Sequence, residues 1–500
     1  MSTSSFKISK SDYLEYRECK KNAWVKIHKP EIFSQFPLSE FDLMIMEAGG
    51  DVEKIARQLF PDGILIEGRD SDAQKLTLEY IQNKQPVLFQ AVFEKDGFIA
   101  AVDVLQYNPD TNSYSLYEIK STNSVKKDTH YHDAAFQVNL LRKFNIKIDK
   151  IFIIHLNKEY IRSNDLNIDS LFTIADVTEI VESLCEEVSI EMGYALKYLS
   201  QDELPKGYCP CIYRGRSAQC RTFTYLNPDV PKYSVHDISN IGSRKKVLAD
   251  LIDSNILLIE DIPAHVEFSA NPSNQIALHK SGNKIINKEA IAKELNDLEF
   301  PLYFIDYETY ACPIPRFKGF SPHLHIPFQF ALYVLDSAEE EPKLLEFIHV
   351  DSDDPSLHFV KSLQKHIGEK GNIIVWHKPF EAPRNNELGI RIPEMKDYLE
   401  SFNNRIYDLR DIFKNQYYVD KEFLGKTSIK YVLPVMVPTL SYKELDIKEG
   451  ASASESWNRL FTEDLSDAEK EKIVQDLKTY CGLDSYAMYA IWKELYKLIQ

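Results

Sequence analysis

Two sets of acidic residues, far apart in the chain, constrain what this sequence can fold into more than any other feature. The first is Asp103, followed by Glu118-Ile119-Lys120. The second opens with Asp306-Tyr307-Glu308 and continues at Glu381, Tyr480 and Asp484. Each set begins where an apolar, strand-like run reaches carboxylates, so each calls for a sheet of its own. A chain of 500 residues with 44% hydrophobic content is long enough to bury two or three ordinary cores.

In the first half, amphipathic helices are expected over 12–29 and 41–60, the latter stopping at Pro61-Asp62-Gly63. Strands follow over 87–93, 98–107 and 114–120, with Asn108-Pro109-Asp110 as a turn. A helix over 131–144, a strand over 151–156 and a helix over 175–200 complete an α/β pattern. Asp103 and Glu118 then sit on adjacent strands. Glu118 and Lys120, two apart, point to one face. Hydrolysis of a phosphodiester uses such a set: Asp103 and Glu118 to bind a metal, Lys120 to orient water or stabilise developing charge.

The region 204–223 is irregular and holds Cys209, Cys211 and Cys220. Between 226 and 297, short helical patterns (239–254 and 287–298), Pro263, Pro272 and a polar run at 269–275 suggest a connector. The second α/β region opens with the apolar run 301–306. Further strands are expected over 328–335, 344–350 and 372–376, and helices over 356–368, 381–389, 394–402 and 468–498. Asp306 and Glu308 share a strand face, and Tyr480 and Asp484, four apart, share a helix face. With Glu381, these carboxylates suit two divalent ions about 4 Å apart, and Tyr480 suits orientation of the attacking water.

The run Glu118-Ile-Lys-Ser-Thr122, with Gln137 on the following helix, resembles the RecB-like nucleases of the PD-(D/E)XK superfamily, which include CRISPR-associated nucleases with an iron–sulfur cluster. The resemblance implies a role for Gln137 beside the metal site and a further ligand on an upstream helix, Glu53 or alternatively Glu47. The opening Ser9-Lys-Ser-Asp-Tyr13 and Cys19…Trp24 match the same nucleases. By that resemblance Cys19, Cys209, Cys211 and Cys220 bind a 4Fe-4S cluster, although the C-x-C spacing is tighter than usual. Four thiolates also suit a structural zinc, which stands as the alternative. Cys185, Cys312 and Cys481 are expected to be small buried hydrophobes.

The second set resembles the DEDD exonucleases of the RNase H-like fold, in their tyrosine version, since position 479 is Thr rather than His. Glu381 stands where that pattern has Asp, and His377 where it has Asn. The runs 305–309, 326–330, 427–434 and 440–442 are similar to a bacterial family that fuses the two domains. The resemblance implies a RecB-like domain over 1–225, a helical connector over 226–297 and a DEDD domain over 298–500. Ser428 and Lys430 are candidates to face substrate phosphate or plain surface. Asp408 is a candidate support for the metal site or an acid at a helix start.

The expected activity is Mg²⁺- or Mn²⁺-dependent hydrolysis of DNA, at single strands or ends, in repair, recombination or defence. Two alternatives stand beside it: a nucleic-acid-binding scaffold with one decayed centre, and an RNA exonuclease using the second domain. The net charge of −17 argues against a passive DNA coat, which would be basic, while a metal-dependent nuclease offsets its carboxylates with bound cations. No apolar run is long enough to span a membrane, no secretory signal opens the sequence, and seven cysteines suit a reducing compartment, so a cytoplasmic protein is expected.

Overall fold

The computed structural model describes residues 6–442 and 445–500 and is a mixed α/β protein. It divides into two compact units. One comprises the chain to Ile212 with Ala218–Asp229 and Cys312–His323; the other comprises Tyr213–Ser217, Val230–Ala311 and Leu324–Gln500. Among the described residues, no helix is long and apolar enough to cross a membrane.

The first unit is built on a seven-stranded sheet. Its strands are β1 (Ile8–Ser9), β2 (Ile64–Leu65), β3 (Val87–Lys95), β4 (Phe98–Asn108), β5 (Ser113–Lys120), β6 (Ile148–Leu156) and β7 (Phe172–Asp176). The spatial order is β2-β3-β4-β5-β6-β7, with β1 on β4. The β3-β4-β5 meander is antiparallel, and β6 lies parallel to β5 after the helix Lys127–Arg142. Both faces of β5 are covered, which is why it is buried along nearly its whole length. Tyr117 and Ile119 join one apolar cluster with Val52, Phe89 and Ile154, so Glu118 and Lys120 take the opposite face.

Strands β1, β2 and β7 and the helix Ser71–Gln82 lie outside the sequence expectation. The two-residue strands carry too little pattern to be read. The helix is announced locally only by its cap, Asp70, which accepts from the backbone N–H of Asp72 and Ala73.

The second unit holds a five-stranded sheet of order β11-β10-β9-β12-β13, made of β9 (Leu302–Ala311), β10 (His325–Leu335), β11 (Lys343–Ile348), β12 (Ile373–Val375) and β13 (Ile406–Asp408). Strands β9 to β11 are antiparallel, whereas β12 and β13 run parallel to β9. Odd residues of β9, Tyr303, Ile305 and Tyr307, pack with Phe359 and Phe402. Even residues, Leu302 and Phe304, pack against the long helix Asp467–Ile499 through Met488 and Trp492. That parity carries Asp306 and Glu308 to the side of the long helix.

The 226–297 stretch is part of this unit from Val230 onward. Strand β8 (Ile285–Ile286) pairs with β14 (Tyr418–Val419), and Ile291 and Leu295 of the helix Lys288–Asn296 enter the main core. The polar run at 269–275 lies mostly in a helix, Ala270–Ser281, which accommodates Pro272 because it falls in the first turn, where its missing N–H has no partner to lose.

Candidate active site

In the first unit the antiparallel register of Val104 with Tyr117 continues to Asp103 opposite Glu118. Asp103 accepts the backbone N–H of Ile119 at 2.9 Å. Glu118 is 1% exposed and fully engaged: one oxygen accepts Lys120 Nζ at 2.6 Å and Lys10 Nζ at 2.7 Å, the other Gln137 Nε2 at 2.6 Å. Asp133, one turn before Gln137, accepts Lys120 Nζ at 2.5 Å and Gln137 Nε2 at 3.0 Å. Glu53, on the helix Glu40–Ala56, joins through Gln90, whose amide donates to Glu53 at 2.6 Å and to Asp103 at 3.1 Å. Gln90 adopts φ +52 inside β3, and the ladder skips it between Phe89 and Ala91. Glu47 on the same helix is exposed.

Burial and the Glu118 charge raise the Asp103 carboxyl to about 7. Burial opposes ionisation of Glu118 too, but the ammoniums of Lys10 and Lys120 outweigh it and hold this carboxyl below the usual range. Burial, followed by the nearby Lys120, lowers the neighbouring His130 to about 4. Lys10 and Lys120, with Arg57 paired to Glu53, offset part of the negative charge of these four acids.

In the second unit Asp306 and Glu308 meet Asp484 and Tyr480 from the long helix. Tyr442 Oη donates to Asp484 at 2.6 Å, and Tyr480 also bonds that carboxylate. Asp306, Glu308 and Cys481 bring potential ligand atoms within 4.8 Å of one another. Cys481 is thus a buried residue at the centre and not only a core filler. Burial and then the Asp484 charge raise both Asp306 and Glu308 well above the carboxylate range, with Glu381 among the charges acting on Asp306. Glu381 is in the first turn of the helix Lys378–Arg391, 2% exposed, with one carboxylate oxygen buried and unpartnered; burial raises it to about 8.

Buried carboxylates that raise one another are stable as anions only beside a cation. The exposed Lys430 supplies a positive charge that acts on Glu308 and Asp484 while donating to the Lys448 carbonyl at 2.8 Å. Ser428 is the exposed residue before the helix Ile429–Met436 and makes no capping bond with its side chain. Asp408 accepts the backbone N–H of Lys378 at 3.1 Å and of Arg410 at 3.1 Å, fixing the turn that leads to Glu381.

Cys19, Cys209, Cys211 and Cys220, all in the first unit and all buried, place their sulfurs within 4.8 Å of one another. Asn227 Nδ2 donates to Cys209 Sγ at 3.3 Å. Asn22 ties the two arms together by accepting the Thr222 N–H at 3.0 Å and its hydroxyl at 2.6 Å.

Four participants escaped sequence reasoning. Asp133 had a signal, its position one helical turn before Gln137. Lys10 and Tyr442 had none, because tertiary packing alone brings them to their carboxylates. Gln90 had none because its role depends on a left-handed backbone inside a strand. A third convergent set, His349, Asp351 and Asp353, has both aspartates exposed, and His349 already engages Asp353 at 2.9 Å.

Residues 303–428 match a domain of unknown function, DUF2779. The matched stretch contains Asp306, Glu308 and Glu381. An uncharacterized protein of Ureaplasma parvum is 27% identical over 300 residues, which is 55% of this chain and 41% of that protein. One from Mycoplasma pneumoniae is 26% identical over 230 residues, 42% of this chain and 34% of its own length. One from Mycoplasma genitalium is 25% identical over 297 residues, 55% of this chain and 42% of its own. No solved structure matches the chain. The chain spans less than half the length of the curated relatives it matches.

Proposed function

We propose that this protein is a cytoplasmic, metal-dependent nuclease that hydrolyses phosphodiester bonds of DNA at single strands or ends, in repair, recombination or defence. The observation that carries the proposal is the convergence of Asp306, Glu308 and Asp484, with Glu381 beside them, in a buried and mutually repelling acidic centre. The donor set is all hard oxygen apart from Cys481, which suits Mg²⁺ or Mn²⁺. The unpartnered oxygen of Glu381 gives the same indication.

The antiparallel β11-β10-β9 set followed by parallel β12 and β13 is the strand arrangement expected of an RNase H-like domain, and supports a DEDD-type assignment. The β3-β4-β5 meander, with β6 parallel to β5, similarly supports a RecB-like assignment for the first unit.

In the second centre Asp306, Glu308, Glu381 and Asp484 would hold the ions. Divalent ions held there would supply activation of water and stabilisation of the leaving oxygen. Tyr480 would orient the attacking water, Tyr442 holds the Asp484 carboxylate, and Lys430 would meet the substrate phosphate. In the first centre Asp103, Glu118 and Glu53 would hold an ion, Lys120 stabilises developing negative charge, and Gln137 keeps Glu118 in place.

A second reading, in which the first unit binds nucleic acid without cutting it, draws on one observation: Glu118 is occupied by two ammoniums and an amide. Incubating labelled single-stranded DNA, duplex DNA and RNA with the protein and Mg²⁺ or Mn²⁺ tests both readings. Metal-dependent shortening of DNA, lost in Asp306→Ala, is the expected result. Cleavage of RNA alone would make the protein an RNA exonuclease. Binding without any cleavage would make it a scaffold.

A further inference from the structure

The resemblance that suggests a nuclease also suggests a cubane iron–sulfur cluster for the four cysteines, and their spacing does not fit one. In a 4Fe-4S cluster each thiolate binds a different iron, so two Fe–S bonds and an Fe–Fe edge separate any two sulfurs, a distance of roughly 6 Å. A two-iron cluster imposes a similar separation on the thiolates of opposite irons. Here all four sulfurs lie within 4.8 Å of one another, and Cys209 and Cys220 are 3.9 Å apart. One ion with four sulfurs at about 2.3 Å in a tetrahedron requires sulfur–sulfur edges of about 3.8 Å.

We propose that Cys19, Cys209, Cys211 and Cys220 bind a single zinc ion as a structural tetrathiolate. Cys209 and Cys211 are close in sequence because the short 3-10 turn Pro210–Tyr213 brings the second sulfur back toward the first. The remaining pair comes from Cys220 and from Cys19, where the helix Lys10–His28 departs from helical geometry at φ −155 and ψ 101. That kink turns Cys19 out of the helix and into the set.

The surroundings are those of a closed structural site. Every ligand is 6% exposed or less, leaving no open position for water or substrate. Asn227 donates to the Cys209 sulfur, and the buried Lys21, whose ammonium donates to the Gly207 carbonyl, offsets thiolate charge. Zinc has no redox chemistry, so its work here is to close the long loop between Cys19 and the 209–220 segment. The assignment stands whether or not the carboxylate centres cut nucleic acid.

The test is elemental and spectroscopic, on the full chain purified anaerobically from cells supplied with both iron and zinc. The expected result is a colourless protein with about one zinc per chain and a zinc–sulfur shell of four sulfurs at about 2.3 Å by X-ray absorption. Replacing zinc with Co²⁺ is expected to give the intense visible bands of a tetrahedral tetrathiolate, which Cys220→Ser weakens and shifts. A brown protein with iron and acid-labile sulfide, a single iron, or a metal-free protein would each overturn the proposal. Because the wild-type measurements stand alone, they decide the matter even where Cys220→Ser fails to fold.

Discussion

At the scale of single residues, the proposed function rests on carboxylates that are costly to bury. Asp306 and Asp484 are each expected to be indispensable, because loss of a metal ligand typically removes several kcal/mol of transition-state stabilisation. Asp306→Ala and Asp484→Ala should abolish stepwise removal of terminal nucleotides. Tyr442→Phe and Tyr480→Phe should slow it by smaller factors, since each loses one hydroxyl. Equal losses in all four variants would show that the tyrosines do more than position. Glu381→Asp is expected to keep substantial activity.

Titration at Glu381 gives a prediction of defined sign. Its carboxyl is raised from 4.5 to about 8, so the folded state holds a proton that the unfolded state has released over that interval. Without divalent ions, the second unit should therefore lose stability as pH rises through that window, and Glu381→Gln should flatten the loss. Thermal melts with chelator across the window measure it. Stability that rises with pH in wild type and not in Glu381→Gln would refute the buried-acid assignment.

Lys10 makes a separate prediction for the first centre. Its ammonium is the foremost charge lowering Glu118, so Lys10→Met should tighten Mn²⁺ binding there by roughly tenfold, equivalent to about 1.4 kcal/mol. Calorimetric titration in an Asp306→Ala background isolates that centre. Unchanged affinity would mean that Lys10 is only a packing residue.

At the scale of elements, the sites depend on where strands end and how helices are held. Even-numbered positions of β9 carry both the apolar contacts with the long helix and the two acids. One strand thus anchors the helix and aims the site. The helix is held at its start by Ser466, which forms a capping box with Glu469. Ser466→Ala is expected to cost the second unit about 1 kcal/mol of stability while leaving the chemistry unchanged, because Tyr480 and Asp484 lie several turns away. Denaturant melts and the cleavage assay on the same variant would check both halves. A large loss of activity at full stability would contradict it.

At the scale of the whole molecule, two compact units each have their own sheet and core, and the four cysteines belong to the first. Removing the proposed ion should therefore expose the first unit selectively. Limited proteolysis after treatment with a thiol-reactive mercurial and chelator is expected to open sites between residues 6 and 212 before those between 324 and 500. Uniform digestion would indicate that the cysteines do not staple the first unit.

The sequence by itself determined the α/β class, the long strands β3 to β6, β9 and β10, and the final helix, because their apolar periodicity extends far enough to be read. It also determined which acids share a face, since the two-residue period of a strand and the four-residue spacing of a helix are local properties. Only the tertiary structure decided the rest. Strands of two or three residues such as β1 and β13 exist because neighbouring strands offer partners. Lys10 and Tyr442 reach the centres through packing between elements distant in sequence, and Gln90 through a left-handed backbone inside a strand. The separation of the four sulfurs is likewise a distance in space, set by a kinked helix and a 3-10 turn, and no spacing along the chain encodes it.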